Sequence, residues 1–252
     1  MIQRYGFFAY FSDRPDAGYG FGLYSIAHFV ILAAIAAITW ALCVAYRRLD
    51  GTNRSKLLLT VAIIILVVET LKVISHPIIH GGFRIEYTSL HLCGIMIFIG
   101  LAYVIRPNET LGELLYAVGL PGFIAALVFP NWTMYPLLNF YVFTSFTTHG
   151  LQIAFVLMLI FTSQVRPSPR RAWKSAVFLV AIAIPIYILN LAIGTNFLYL
   201  NSGSPGSPLE ILVDTFGSPL FLIPYAMLAA VIIAIMYIPW IIIEKRERAK
   251  HK

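Results

Sequence analysis

The chain has 252 residues, of which 60% are apolar and only 12% are charged. Soluble globular domains carry about 25% charged residues, so this chain has too little charge to cover a surface that faces water. The apolar residues also form long blocks of the kind that cross a bilayer as helices. The composition therefore excludes a soluble protein and predicts an all-α, polytopic membrane protein.

Seven apolar segments are long enough to span about 30 Å of hydrocarbon as helices. They form one predicted transmembrane domain at 24–243, preceded by an extracytoplasmic segment at 1–23 and followed by a basic cytoplasmic tail at 244–252. The first twenty residues mix charges with aromatics and glycines, unlike a cleavable signal peptide, so we expect them to be retained. The predicted spans are 24–46, 57–75, 87–105, 111–129, 139–163, 172–194 and 219–243.

The distribution of basic residues predicts how the chain is oriented. Of the 18 Lys and Arg residues, all but Arg4, Arg14, Lys72 and Arg84 lie in or directly next to alternate connections, or in the tail. Because basic residues collect on the cytoplasmic side, the N-terminus is expected outside and the C-terminus inside. Topology and attraction to anionic lipids explain the net charge of +7. We expect no nucleic-acid partner, since no basic stretch belongs to a folded soluble module.

Ionisable side chains inside the predicted spans are costly in hydrocarbon, so each is a candidate site residue. With a rise of about 1.5 Å per residue, Cys93 and Glu69 lie about 9 Å and His149 about 15 Å below the outer boundary. Polar groups of five helices therefore converge in the outer half of the membrane. The ionisable group comprises His28, Glu69, Lys72, His91, Cys93 and His149, and its polar neighbours are Tyr141, Ser145, Gln152, Tyr187 and Asn190.

Helical spacing arranges several of these residues on common faces. Tyr141, Ser145, His149 and Gln152 recur at intervals of three and four, which predicts one polar face on the fifth span. Glu69 and Lys72 are three residues apart on the second span and are predicted to form an ion pair. The alternative interpretation is that these faces only hold helices together through hydrogen bonds.

Cys93 is the candidate nucleophile. His91 lies two residues earlier, and on a regular helix two such positions point to nearly opposite faces, so His91 is not expected to deprotonate Cys93. His149, at a similar depth on another span, is the better candidate for the base, since a Cys thiolate activated by a His can accept an acyl group. The alternative is that Cys93 is inert packing, as we expect for Cys43 near the cytoplasmic end of the first span.

A metal site is a competing interpretation of the same residue types. His76 and His80 are four residues apart, and Glu86, His91 and Cys93 follow. Pro77 argues against a regular helix here, and the spacing matches no closed set of four ligands, so we expect neither a metal nor another cofactor.

Three short motifs resemble YwaF-type integral membrane proteins of bacteria: SLHLC at 89–93, SFTTH at 145–149, and GTNFLYL at 194–200 after Asn190. That family is related to a vertebrate transmembrane acyltransferase that loads acyl chains onto lyso ether phospholipids. The resemblance implies acyl transfer through Cys93 and His149, a phospholipid or lysophospholipid partner, and a bacterial cytoplasmic membrane. Ser89 departs from the proline expected at its position.

The leading hypothesis is thus a membrane enzyme in which His149 is the base and Cys93 attacks a lipid ester. Asn190, Gln152 or Lys72 would stabilise the oxyanion, and Glu69 would pair with Lys72 or orient a histidine. We expect His91 and Asn196 to support the site or bind substrate, and the Gly- and Ser-rich loop at 195–218 to cap the outer face. The alternatives are a transporter or binding protein that uses the same groups, and an assembly partner without chemistry. The apolar inner halves of the spans argue against transport.

Overall fold

The computed structural model describes residues 7–8, 20–83, 85–204 and 206–250. Most of the predicted N-terminal segment, together with Arg84 and Lys252, lies outside the described residues. Within those ranges the protein is helical and no residue lies in a β-strand. The α-helices are α1 (Ile26–Arg48), α2 (Gly51–His80), α3 (Leu92–Ile105), α4 (Glu109–Leu114), α5 (Leu120–Val128), α6 (Phe140–Phe161), α7 (Ala172–Ile193), α8 (Pro208–Phe216) and α9 (Leu222–Lys250).

Every predicted span overlaps an apolar helical segment of the structure. Among the described residues, six helices are long and apolar enough to cross a membrane, so the chain is a multi-pass membrane protein. The third predicted span differs: α3 has 14 residues and covers only about 21 Å, because the helix begins at Leu92 rather than near residue 87. A seventh crossing therefore stays a prediction.

The connection between α1 and α2, on the side predicted to be cytoplasmic, is stabilised by side-chain hydrogen bonds to the ends of the two helices. Arg54 donates to the carbonyl oxygens of Tyr46 and Arg47, at 3.1 and 2.8 Å, which satisfies the C-terminal end of α1. Asp50 accepts from the backbone N–H of Asn53 at 2.9 Å and so caps α2. This hydrogen bond lowers the pKa of the exposed Asp50 carboxyl below its usual value.

The helices that cover predicted spans two and four differ in their regularity. α2 continues through Pro77 to His80, so the expectation of irregular backbone there was wrong. Between α4 and α5 the chain forms a π-helical turn at Leu115–Gly119, and the three pieces together make one helical stretch, Glu109–Val128. Turns of this kind occur frequently at functional sites, where they shift the faces of the helix that follows.

The segment at 195–218 contains more regular structure than the loop that we predicted. α8 begins at Pro208, and its N-cap Ser207 accepts from the backbone N–H of Leu209 at 3.3 Å. Serine followed by proline is a helix-start signal that the Gly- and Ser-rich composition obscured. At the other end of the last span, α9 extends to Lys250, so the basic tail continues the helix over its described part.

The chain divides into two compact units. The first unit combines Met1–Ser89 with Phe123–Met158, and the second combines Leu90–Gly122 with Leu159–Lys252. Glu69, Lys72, Gln152 and His149 belong to the first unit. Cys93, His91, Asn190 and Asn196 belong to the second.

Candidate functional site

Glu69 and Lys72 form the predicted ion pair, which is confirmed. Lys72 Nζ lies 2.7 Å from Glu69 Oε2, and the three-residue spacing on α2 brings the two side chains together. The Ser89 hydroxyl donates to the other carboxylate oxygen of Glu69 at 2.8 Å. Glu69 is only 6% exposed, so these two partners offset the cost of burying its charge.

His149 is held in one orientation by its own helix. Its Nδ1 lies 2.7 Å from the backbone carbonyl oxygen of Ser145, which can only accept, so Nδ1 carries the proton. In the neutral ring the lone pair is then on Nε2. Glu69 and Lys72 both interact electrostatically with this ring. The first unit thus presents a half-buried histidine with a fixed tautomer, together with an ion pair that interacts with it electrostatically.

The other polar residues of α6 lie as the spacing predicted. Tyr141, Ser145 and Gln152 are all buried, so the face that also carries His149 points into the protein rather than towards lipid. Gln152, one turn beyond His149, remains a candidate hydrogen-bond donor.

His28 has different surroundings from His149. Its Nε2 donates to the backbone carbonyl of Leu127 at 2.8 Å, and its Nδ1 accepts from the backbone N–H of Tyr24 at 3.2 Å. Both ring nitrogens are therefore engaged by backbone. The ring is fully buried, and its role is to hold two segments of the first unit together.

The histidines near the end of α2 pack against aromatic rings. The His76 ring stacks on Tyr87 with 3.5 Å between centroids, and its centroid lies 5.0 Å from that of His80. In the part of the chain that the structure describes, no three His, Cys, Asp or Glu side chains form a group suited to a metal ion.

Cys93 lies in the first turn of α3. The helix begins at Leu92, and His91 is its N-cap with extended backbone, φ −70° and ψ 157°. The expectation that His91 and Cys93 point to opposite faces assumed a helix through both residues, and that assumption fails at His91. Cys93 itself is half-buried.

Asn190 and Asn196 organise the segment that follows α7. Oδ1 of the fully buried Asn190 accepts from the Thr195 hydroxyl at 2.8 Å and from the Phe197 N–H at 2.9 Å. Its Nδ2 donates to the Phe197 carbonyl at 2.9 Å. Asn196 accepts from the N–H groups of Asn201 and Ser202, at 2.9 and 3.1 Å, and donates to Ser202. Residues 195–202 thus form a loop tied at both ends, called the 195–202 loop below.

The 195–202 loop contacts the start of α3. The His91 ring lies 5.4 Å from that of Phe197 and 5.3 Å from that of Tyr199, measured between centroids. The Tyr225 hydroxyl of α9 donates to the Leu198 carbonyl at 3.1 Å. Leu198 and Tyr199 both adopt positive φ, near 56°, which is costly for residues with a side chain and needs support from the surroundings.

A buried carboxylate in the second unit was missing from the sequence-based candidates. Glu113 is 1% exposed and accepts from the Ser168 N–H at 2.8 Å, from Arg171 Nε at 2.7 Å and from the Tyr237 hydroxyl at 2.6 Å. Arg171 also pairs with the exposed Glu109 at 2.5 Å. The sequence did contain a signal for this network, because Glu113 is an acidic residue at the third position of the predicted span 111–129.

Comparison with known proteins identifies a family. A family model described as the TMEM164 family matches residues 23–243, a range that includes all the helices except the end of α9. No curated protein and no solved structure gives a significant match.

Proposed function

We propose that this chain, which belongs to the TMEM164 family, is a membrane enzyme that transfers a fatty acyl group between phospholipids. Cys93 is the nucleophile and His149 the general base. The observation that carries the proposal is the hydrogen bond from His149 Nδ1 to the Ser145 carbonyl, because it fixes the proton on Nδ1 and leaves Nε2 to accept one. The positive end of the α3 dipole also favours an anion at Cys93, in the first turn.

The reaction runs in two displacements. His149 Nε2 takes the thiol proton of Cys93, and Sγ attacks the carbonyl carbon of a phospholipid ester. When the tetrahedral oxyanion collapses, the ester C–O bond breaks and the lysophospholipid leaves with the proton from His149. The hydroxyl of a second lysophospholipid, deprotonated by His149, then attacks the acyl-cysteine and releases the thiol. Water in place of that hydroxyl would make the protein a lipid ester hydrolase.

The surrounding polar residues support this chemistry. Lys72 is paired with Glu69 and interacts electrostatically with His149, and Gln152 follows His149 by three residues on the same helix. We assign the stabilisation of the oxyanion to Lys72 and Gln152, since charge and amide donors suit that role. Asn190 already uses its amide to hold the 195–202 loop.

We also propose the membrane arrangement that fits this site. Seven crossings, with the N-terminus outside and the basic tail in the cytoplasm, bring the candidate residues into the outer half of a bacterial cytoplasmic membrane, in line with the YwaF-type resemblance. α3 is too short to cross alone, so the third crossing consists of α3 and the residues that precede it. A phospholipid then enters sideways from the outer leaflet.

The test is acyl transfer by the purified chain in lipid nanodiscs. An isotope-labelled lysophospholipid is added, and mass spectrometry follows both the acylated product and an acyl adduct on the Cys93 peptide. We expect Cys93→Ala and His149→Ala to abolish turnover. Cys43→Ala, which changes a buried cysteine on α1, is the matched control and should retain it.

Two outcomes would contradict the proposal. Full turnover by Cys93→Ala would show that Cys93 is not the nucleophile. Absence of turnover by the unmodified chain, together with solute uptake into vesicles, would support the transporter interpretation of the same groups.

A further inference from the structure

We infer that the 195–202 loop clamps the start of α3 through His91, so that His91 is a positioning residue that fixes the orientation of Cys93. This inference rests on the proposed function, in which Cys93 must meet a lipid ester in one geometry. It gives His91 a role that depends on the packing of its ring and not on its ring nitrogens.

The first argument is the rigidity of the loop. Side chains of Asn190 and Asn196 engage its backbone on both sides, and Asn201 Nδ2 donates back to the Thr195 carbonyl at 2.8 Å. Tyr225 reaches its centre from α9. Backbone with two successive positive φ values at non-glycine residues persists only where the surroundings over-determine it. The 195–202 loop is therefore rigid and can hold a side chain that packs against it.

The second argument concerns the residues that the 195–202 loop contacts. Phe197 and Tyr199 contact the His91 ring from the loop, at centroid distances typical of aromatic pairs. His91 is the N-cap of α3, but its side chain makes no capping hydrogen bond. Its ring contacts the loop, and Cys93 follows only two residues later. Packing that fixes the His91 ring therefore also fixes the first turn of α3, which carries the Cys93 thiol.

Paired variants separate ring packing from ring chemistry. His91→Phe and Tyr199→Phe keep the aromatic contact, whereas His91→Ala and Tyr199→Ala remove it. Two measurements are made on each nanodisc-reconstituted variant. The first is kcat and KM for acyl transfer. The second is the rate of maleimide alkylation at the Cys93 peptide across pH 6–10, which requires no turnover.

We expect the two alanine variants to lower kcat about ten- to a hundredfold with little change in KM, because a misplaced nucleophile affects the reaction more than substrate binding. Both phenylalanine variants should keep kcat within about threefold of the unmodified chain. The pH profile of Cys93 alkylation should be unchanged in His91→Phe. Thermal unfolding of each variant checks that it is folded.

Two results would overturn the inference. One is a loss of kcat in His91→Phe as large as in His91→Ala. The other is a shifted pH profile of Cys93 alkylation in His91→Phe, since either result would show that a ring nitrogen acts on the thiol. If the unmodified chain shows no acyl transfer, the proposed function fails. In that case, faster alkylation of Cys93 in the alanine variants alone still supports the clamp, and equal rates in all variants refute it.

Discussion

Replacing Glu113 by Gln should destabilise the second unit strongly, although the two side chains have nearly the same shape. The carboxylate is 1% exposed and holds three donors. Removing its charge leaves the Arg171 guanidinium without its buried partner, which typically costs about 3–5 kcal/mol. Arg171 is 24% exposed and can reach water, so we expect about 3 kcal/mol.

The matched control is Glu109→Gln. Glu109 pairs with the same arginine but is 75% exposed, so its loss should cost about 1 kcal/mol or less. Thermal unfolding in nanodiscs, followed by tryptophan fluorescence, should show a Tm lower by about 6–12 °C for Glu113→Gln and by about 4 °C or less for Glu109→Gln. Tyr237→Phe, which keeps the ion pair, should fall between them. Equal Tm values for the two glutamine variants would refute the assignment of the network to the stability of this unit.

Three further predictions concern the first unit. The pKa of Asp50 is lowered in the folded protein, so its stabilising effect should be lost as the pH falls below about 4, and Asp50→Asn should flatten the acid limb of a Tm-against-pH curve. Gly20→Ala should lower Tm, since a Cβ there would lie 2.0 Å from the Thr133 carbonyl oxygen, whereas Gly51→Ala, with open space around it, should not. His28→Phe should cost about 1–3 kcal/mol by leaving a buried carbonyl without its donor, and an unchanged Tm would contradict that role.

Apolar blocks predicted the helices well because crossing a membrane imposes one simple requirement on sequence. The prediction was weakest where backbone geometry decides the outcome. α3 starts at Leu92 rather than five residues earlier, and that difference changes the relation between His91 and Cys93. A run of apolar residues carries no signal for the exact residue at which a helix begins.

The candidate residues were predictable where partners are near in sequence. Glu69 and Lys72, three residues apart, form the expected ion pair. Partners from distant segments were not predictable: Glu113 meets Arg171 across 58 residues, and Asn190 holds a loop whose composition suggested only an irregular cap. Such contacts depend on how helices pack, which a single sequence does not encode locally.

The division of the chain into two units has a consequence for the order in which they are synthesised. The first unit ends at Met158, so the ribosome has made every residue of the Glu69 and His149 cluster before it reaches residue 190. The 195–202 loop and Tyr225 are made later. Because segments fold as they emerge, we expect the Glu69 and His149 cluster to form first and the contacts between the 195–202 loop and His91 to form last. On the proposed function, the orientation of Cys93 would therefore be fixed only once most of the chain is in the membrane, and acyl transfer would begin only when insertion is nearly complete.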